Sequence, residues 1–336
     1  MEERADRRPA RTGRPVACTR VEASDRQRPD PIRRPDVLVL GAGRTLGRAW
    51  MSGVLAGIES VSNADFRRCR HFVGTSAGSI VAATLAAGIR PRGPRDQEPA
   101  TERPADPARA ADPSAAGAER LLAPVAPLAA AALRIAAPAG AFVRAAMLAR
   151  APTGQDDPYG LGERIGDLGG SFDGRLFVVS VERASGRRVV FGTPDAPNAT
   201  VADAVRASCA IPGVFRSVSI DGRAYADGGA WSLTNIDVAP VEPGDSVLCL
   251  NPCGGSLTPT RGLVGGLAAW ARARATLEAQ ALRGHAAAVR VVGPDRQATR
   301  ALGPNLMDRR RTQEALAGGY RQGGRLGGGR DGVVAR

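Results

Sequence analysis

The stretch His71-Phe72-Val73-Gly74-Thr75-Ser76-Ala77-Gly78-Ser79-Ile80-Val81-Ala82-Ala83-Thr84-Leu85-Ala86-Ala87-Gly88 decides the fold. Its first three residues form a short apolar run that reads as a buried strand, and Ser79 to Ala87 reads as a helix ended by Gly88. A strand, then G-x-S-x-G, then a helix is the sequence form of a nucleophile elbow. Gly74 and Gly78 leave room for strand and helix to approach closely. The hydroxyl of Ser76 then projects from the sheet edge at a helix N-terminus, where the dipole and unpaired N–H groups favour developing negative charge. A glycine-rich turn with an incidental serine carries the same letters, so the surrounding chain must supply the rest of the argument.

Upstream, Asp36 to Leu40 is the first core-like strand, residues 41–47 read as a glycine-rich turn, and Arg48 to Ser60 reads as a helix. The elbow strand extends back to Cys69. Downstream, Arg175 to Arg183 alternates and turns at Ala184-Ser185-Gly186 into a second strand, Arg187 to Phe191. Thr200 with Asp203 can cap a helix running through Ser208. Val214 to Ile220 reads as a strand with an Asp221-Gly222 turn, and Ser246 to Leu250 as a buried strand. Leu263 to Arg283 is a long amphipathic helix, Ala288 to Val292 the last strand, and Met307 to Tyr320 the last helix. Strands alternating with helices indicate an α/β chain: a three-layer sandwich with a largely parallel central sheet covered on both faces.

Composition bounds the rest. The chain has 336 residues, 43% apolar and only 4% aromatic, so alanine, valine and leucine must build the core. Net charge is +13, and every basic residue is arginine. Residues 1–35 and 321–336 hold seven of those thirteen charges, which reads as solvated tails rather than a dedicated nucleic-acid patch. The five cysteines, an odd count without a framework, read as reduced thiols. No run of eighteen uncharged apolar residues exists. Residues 1–35 and 324–336 are expected to be disordered tails and 91–120 a disordered insertion of Pro, Ala and charged residues. The apolar stretch 121–150, interrupted by prolines and arginines, reads as short helices covering a site or lying on a bilayer surface. The expected location is cytoplasmic, with peripheral contact to a membrane.

An acyl-transfer site needs a nucleophile, a base and oxyanion donors. Gly41-Ala42-Gly43-Arg44-Thr45-Leu46-Gly47 has G-x-G-x-x-x-G spacing, one residue too long for a dinucleotide fingerprint, and no Lys-Ser/Thr follows as a P-loop needs. With an elbow serine downstream, a backbone cradle for an anionic intermediate is the better reading than these or a plain tight turn. The two histidines, His71 and His285, are poorly placed. His71 lies on the strand entering the elbow. His285 fits the chain order of a serine–acid–histidine triad but sits between a helix and a strand rather than on a loop after the last strand. Asp227 in Tyr225-Ala226-Asp227-Gly228-Gly229 is the stronger base, because two following glycines free the backbone and leave the carboxylate exposed near the sheet edge. An ordinary Asp-Gly turn has the same appearance.

Four blocks now converge. LVLGAGRTLGRAWMSGVLAG, GTSAGS, ASCAIPGVF with DGRAYADGGAWSLTN, and LGPNLMDRRRTQEALAGGYRQG run in order from about residue 36 to 323. Together they resemble the bacterial patatin-like phospholipases. That resemblance implies an acyl hydrolase domain over 36–323 and a Ser–Asp dyad without histidine, with Ser76 as nucleophile and Asp227 as its base. It implies an oxyanion hole of Gly43 and Arg44 N–H groups, helped by Gly41 and Ala42, with Gly74, Gly78, Gly228 and Gly229 as support. It implies no metal and no cofactor, and a lipid or acyl-ester substrate. The chain departs from the pattern at Ala42 and Arg44, where the family normally has glycine. A left-handed backbone at Ala42 is expected to cost about 1–2 kcal/mol. Two other readings stand beside the dyad: a Ser76–Asp227–His285 esterase, and a catalytically weak member that binds lipid or protein through 121–150.

Overall fold

The strands form one eight-stranded sheet around Val37–Leu40 (β1), all four residues of which are buried. The computed structural model describes residues 30–96, 137–151, 160–255, 263–285 and 288–328. From Pro31 on they belong to one compact unit. The strands are β1, His71–Thr75 (β2), Leu176–Glu182 (β3), Arg188–Phe191 (β4), Val218–Ile220 (β5), Arg223–Asp227 (β6), Ser246–Leu250 (β7) and Ala288–Val292 (β8). Their order is β5-β6-β3-β2-β1-β7-β8, with β4 paired to β3. The pairs β3–β2, β2–β1, β1–β7 and β7–β8 are parallel, whereas β4, β6 and β5 join by antiparallel pairings.

Both faces are covered, as near-continuous apolar strands require. The helices are Arg44–Glu59 (α1), Ala77–Ala86 (α2), Ala137–Arg150 (α3), Leu161–Gly166 (α4), Val201–Ser208 (α5), Leu263–Arg283 (α6), Arg296–Leu302 (α7) and Thr312–Gly327 (α8). On one face, Leu38, Leu40 and Phe72 pack with Leu46, Trp50 and Val54 of α1, Val81 of α2 and Val205 of α5. On the other, Val37, Val39, Val73 and Cys249 pack with Ala275, Ala279 and Leu282 of α6. Helix α3 lies against the β3–β4 turn: Arg144 Nε donates to Gly186 O at 3.0 Å, and its guanidinium carbon stands 3.9 Å from the Trp231 ring centroid.

Helices α1 and α8 touch through their backbones. A Cβ on Gly53 or Gly57 would run into the carbonyls of Leu316 or Tyr320, and one on Gly319 or Gly323 into those of Trp50 or Val54. The indole Nε1–H of Trp50 donates to Gln322 Oε1 at 3.0 Å across this seam.

Several boundaries differ from expectation. The N-terminal tail does not reach residue 35: Ile32 is 5% exposed, packs into the core, and donates its N–H to Leu326 O at 2.8 Å. The C-terminal tail does not begin at 324, because α8 continues to Gly327 and holds Arg325 against Asp295. The insertion begins later than 91, since Pro91 and Gly93 are buried. Helix α1 starts at Arg44, so residues 44–47 are its first turn rather than part of a loop. Strand β5 is only three residues long, without the expected start at Val214. The expectations for 1–29, for 97–120 and for 121–136 lie outside the described residues.

Candidate active site

The site is built on one edge of β3. Along Val178–Val181 one edge of β3 carries β4. The other edge must then carry both β2, opposite residues 176–179, and β6, opposite residues 180–182. These two strands run towards each other and meet end to end: Thr75 pairs with Val179, and Asp227 with the next residue, Ser180. A rise of about 3.3 Å per strand residue therefore separates the last residue of β2 from the last residue of β6. Gly228, the residue after β6, sits where a Cβ would overlap the Val179 carbonyl.

Ser76 sits at this junction with φ 52° and ψ −123°, left-handed for a residue that has a side chain. Such strain persists only where the surroundings enforce it. Gly78 permits the turn, because a Cβ there would overlap the Leu40 carbonyl; at Gly74 it would overlap Ser79 in the first turn of α2. The Ser76 hydroxyl donates to Asp227 Oδ2 at 2.6 Å. Gly229 N–H donates to the other oxygen, Oδ1, at 2.7 Å. Ser76 is 4% and Asp227 5% exposed, so the carboxylate is buried rather than exposed near the sheet edge as expected. Burial pushes the Asp227 carboxyl up to about 6, against the opposing pull of the Ser76 and Gly229 hydrogen bonds and the positive field of Arg44. A carboxylate in that range is ionised at neutral pH yet basic enough to take a proton.

The glycine-rich segment divides in two. Gly41 N–H donates to Leu250 O at 2.9 Å and Ala42 N–H to Leu233 O at 2.7 Å. Both are committed to holding the loop, which corrects the expectation that they help with an oxyanion. The N–H groups of Gly43 and Arg44, at the start of α1, have no acceptor among the described residues. The expected strain at Ala42 falls instead on Arg44, with φ 55°; Ala42 is not left-handed. Cys253, on the loop after β7, donates its thiol to Ala42 O at 3.4 Å, and burial pushes that thiol up to about 11.

Neither histidine is here. His71 opens β2, at the end of the sheet opposite to Ser76, and stacks edge-on to Phe177 with centroids 5.7 Å apart. His285 is exposed, just past the end of α6 and before β8. Among the described residues no cluster of three His, Cys, Asp or Glu side chains is placed to hold a metal ion.

Sequence reasoning missed the residues behind the pair. Ser208 and Ala210, within the ASCAIPGVF block, contact the backbones of Ser76 and Asp227. Asn235, buried, donates from Nδ2 to Thr75 Oγ1 at 3.1 Å and fixes the end of β2. The signal was a run of small polar residues inside the matching blocks, and single letters of that kind carry no direction.

Residues 38–240 match the family model described as patatin-like phospholipase. The match spans more than half of the chain, which belongs to that family of lipid acyl hydrolases. Among solved structures it is similar to VipD from Legionella pneumophila, with 15% identity over 88% of this chain and 67% of that one and a TM-score of 0.41. It is also similar to the heterodimeric ExoU–SpcU complex from Pseudomonas aeruginosa, with 18% identity over 88% of this chain and 52% of the other and a TM-score of 0.33. The chain thus spans about half the length of that second relative. No curated protein matches it.

Proposed function

We propose that the chain hydrolyses fatty-acyl esters of lipids through a two-residue centre, Ser76 and Asp227, with no histidine. The observation that carries this is the 2.6 Å hydrogen bond from the Ser76 hydroxyl directly to Asp227 Oδ2, which leaves no space for an imidazole between them. Ser76 Oγ attacks the ester carbonyl as its proton passes to Asp227 Oδ2. The tetrahedral oxyanion is held by the N–H groups of Gly43 and Arg44 at the positive end of α1. As the C–O bond of the leaving alcohol breaks, Asp227 returns the proton to its oxygen, and an acyl-Ser76 remains. Water then loses a proton to Asp227 and attacks the acyl carbon. Collapse expels Ser76 Oγ, which takes the proton back, and the fatty acid leaves. Gly229 keeps the carboxylate aimed by binding Oδ1, so Oδ2 does the proton transfer.

Contact with a lipid surface belongs to this reading. Helix α3 exposes Phe142 at 82%, next to the apolar residues 121–136 in sequence. No helix among the described residues is long and apolar enough to cross a membrane, and docking by insertion of a few side chains fits a peripheral enzyme acting on a bilayer. The test is hydrolysis of fatty-acyl esters of graded chain length by the wild-type chain and Ser76→Ala. Loss of turnover in a folded Ser76→Ala supports the reading; an unchanged rate removes Ser76 from it.

A further inference from the structure

We propose that Ser208 is a positioning residue for the nucleophile: its hydroxyl sits between the strained Ser76 amide and β3, and fixes where Ser76 stands relative to Asp227. This rests on the Ser–Asp reading given above and extends it to a residue outside the catalytic pair.

A parallel ladder continued past Thr75 would need another backbone bond to β3. Ser76 cannot supply it, because its left-handed turn takes the chain off the sheet and into α2. Ser208 fills that gap. Fully buried, its Oγ accepts from Ser76 N–H at 2.8 Å and donates to Val179 O at 2.6 Å. A hydroxyl has one proton and two lone pairs, so both bonds are made at once. Two residues on, Ala210 O accepts the N–H of Asp227 at 2.9 Å. The short segment leaving α5 therefore grips both backbones, one through a side chain and one through a carbonyl. The spacing from Ser208 to Ala210 then sets the distance between Oγ and Oδ2, at a junction where β2 and β6 have no direct ladder to align them.

A buried serine that merely satisfies two backbone groups would affect stability alone. A positioning residue also affects the chemistry. With Ser76 loosened, its hydrogen bond to Oδ2 weakens, and that bond is one of the influences that lower the Asp227 carboxyl. The other groups facing the carboxylate are Gly229 N–H, the Arg44 guanidinium from α1 and the Cys253 thiol from the loop after β7. The hydrogen bonds of the Ser208 side chain go instead to Ser76 N–H and Val179 O.

The test is the rate of Ser76 modification by a fluorophosphonate probe as a function of pH, measured on the full chain. Wild type, Ser208→Ala and Ser208→Cys are compared, with Gln322→Ala as a control that destabilises a distant place. The expected loss for Ser208→Ala is about 10²-fold, the scale of a misplaced reacting group. Its pH midpoint moves up from that of the wild type. Ser208→Cys, whose thiol donates and accepts weakly, falls between. Labelling of Ser208→Ala at the wild-type rate and midpoint overturns the proposal, as does a loss matched by Gln322→Ala with no change of midpoint. If Ser208→Ala gives no cooperative melt, Ser208→Cys decides on the same two readouts. A wild-type chain that takes no label at Ser76 overturns the serine reading itself, and the role of Ser208 with it.

Discussion

Ser76 follows the C-terminal end of β2 and His285 precedes the N-terminal end of β8, so the two residues stand at opposite ends of the parallel run β2-β1-β7-β8. The other histidine, His71, opens β2 and is also at the far end. His285→Ala and His71→Ala are therefore expected to keep ester hydrolysis within about twofold of wild type per folded molecule, whereas members of a working triad fail as a unit. A His285→Ala chain as inactive as Ser76→Ala would place a histidine in the mechanism.

The left-handed backbone at Ser76 separates two substitutions that are equally inactive. Ser76→Ala and Ser76→Gly both remove the hydroxyl, but only glycine accepts φ 52° without strain. Ser76→Gly is expected to be more stable than Ser76→Ala by about 1 kcal/mol. Chemical denaturation of the two variants measures the difference. Equal midpoints would mean that the elbow is relaxed.

The buried carboxylate makes a prediction with a definite sign. Burial raises Asp227 from its ordinary 3.8 to about 6, so the folded chain takes up this proton at higher pH than the unfolded chain. Its contribution to stability is full below the unfolded value and is lost as pH rises through the folded one. At about pH 8 the ionised side chain costs the fold on the order of 3 kcal/mol. Asp227→Asn stays neutral, so it is expected to melt above wild type in mild alkali while losing turnover, and the gap should narrow as pH falls below about 6 and close near 3.8. Thermal melts across that interval measure it; a gap that widens on acidification contradicts the assignment.

Arg44 carries two effects that one substitution separates. Arg44→Gly removes a non-glycine residue from φ 55° and is expected to stabilise by about 1 kcal/mol. It also removes the positive field that holds the Asp227 carboxyl down, so the acid limb of the pH–rate profile should move to higher pH. An unmoved limb would show that the guanidinium points away from the carboxylate in solution.

Gln322, buried in the α1–α8 seam, accepts from Trp50 Nε1 and from Asp295 N–H at 3.2 Å, and donates to Gly293 O at 2.8 Å. Gln322→Ala leaves all three groups without their partner and is expected to cost about 2–4 kcal/mol, without altering the rate per folded molecule. Denaturant midpoints and active-site titration together check both halves of this expectation.

The sheet was legible in sequence where strands are short apolar runs flanked by glycine. Ser246–Leu250, Ala288–Val292 and the helix Leu263–Arg283 lie where the pattern places them. Two short helices, α4 and α7, carry too few apolar residues for a period to emerge. The last helix was expected at Met307–Tyr320 and runs instead from Thr312 to Gly327. Gly319 and Gly323 within it let α1 approach, since a Cβ there would meet the Trp50 or Val54 carbonyl. The elbow and Asp227 were legible as letters, but the end-to-end meeting of β2 and β6 was not. The β3–β4 hairpin has its turn signal at Ala184-Ser185-Gly186, but that β2 and β6 share the remaining edge of β3 is a tertiary choice with no local signature.

The contact between α1 and α8 bears on how this protein can be divided. Helix α1 begins at the two N–H groups that face the reacting carbonyl in the proposed mechanism, and its opposite flank rests on glycines beyond residue 312. The stretch 38–240 contains both Ser76 and Asp227, yet it omits Pro252, against which Gly43 and Gly47 at the start of α1 pack, as well as the helix that packs on the middle of α1. Moved into another chain as a cassette, it would take the reactive pair along and leave behind the buttress of its own anion cradle. The unit of inheritance for this activity is thus larger than the unit of its motif, and recombination within 241–311 would part what the fold needs together.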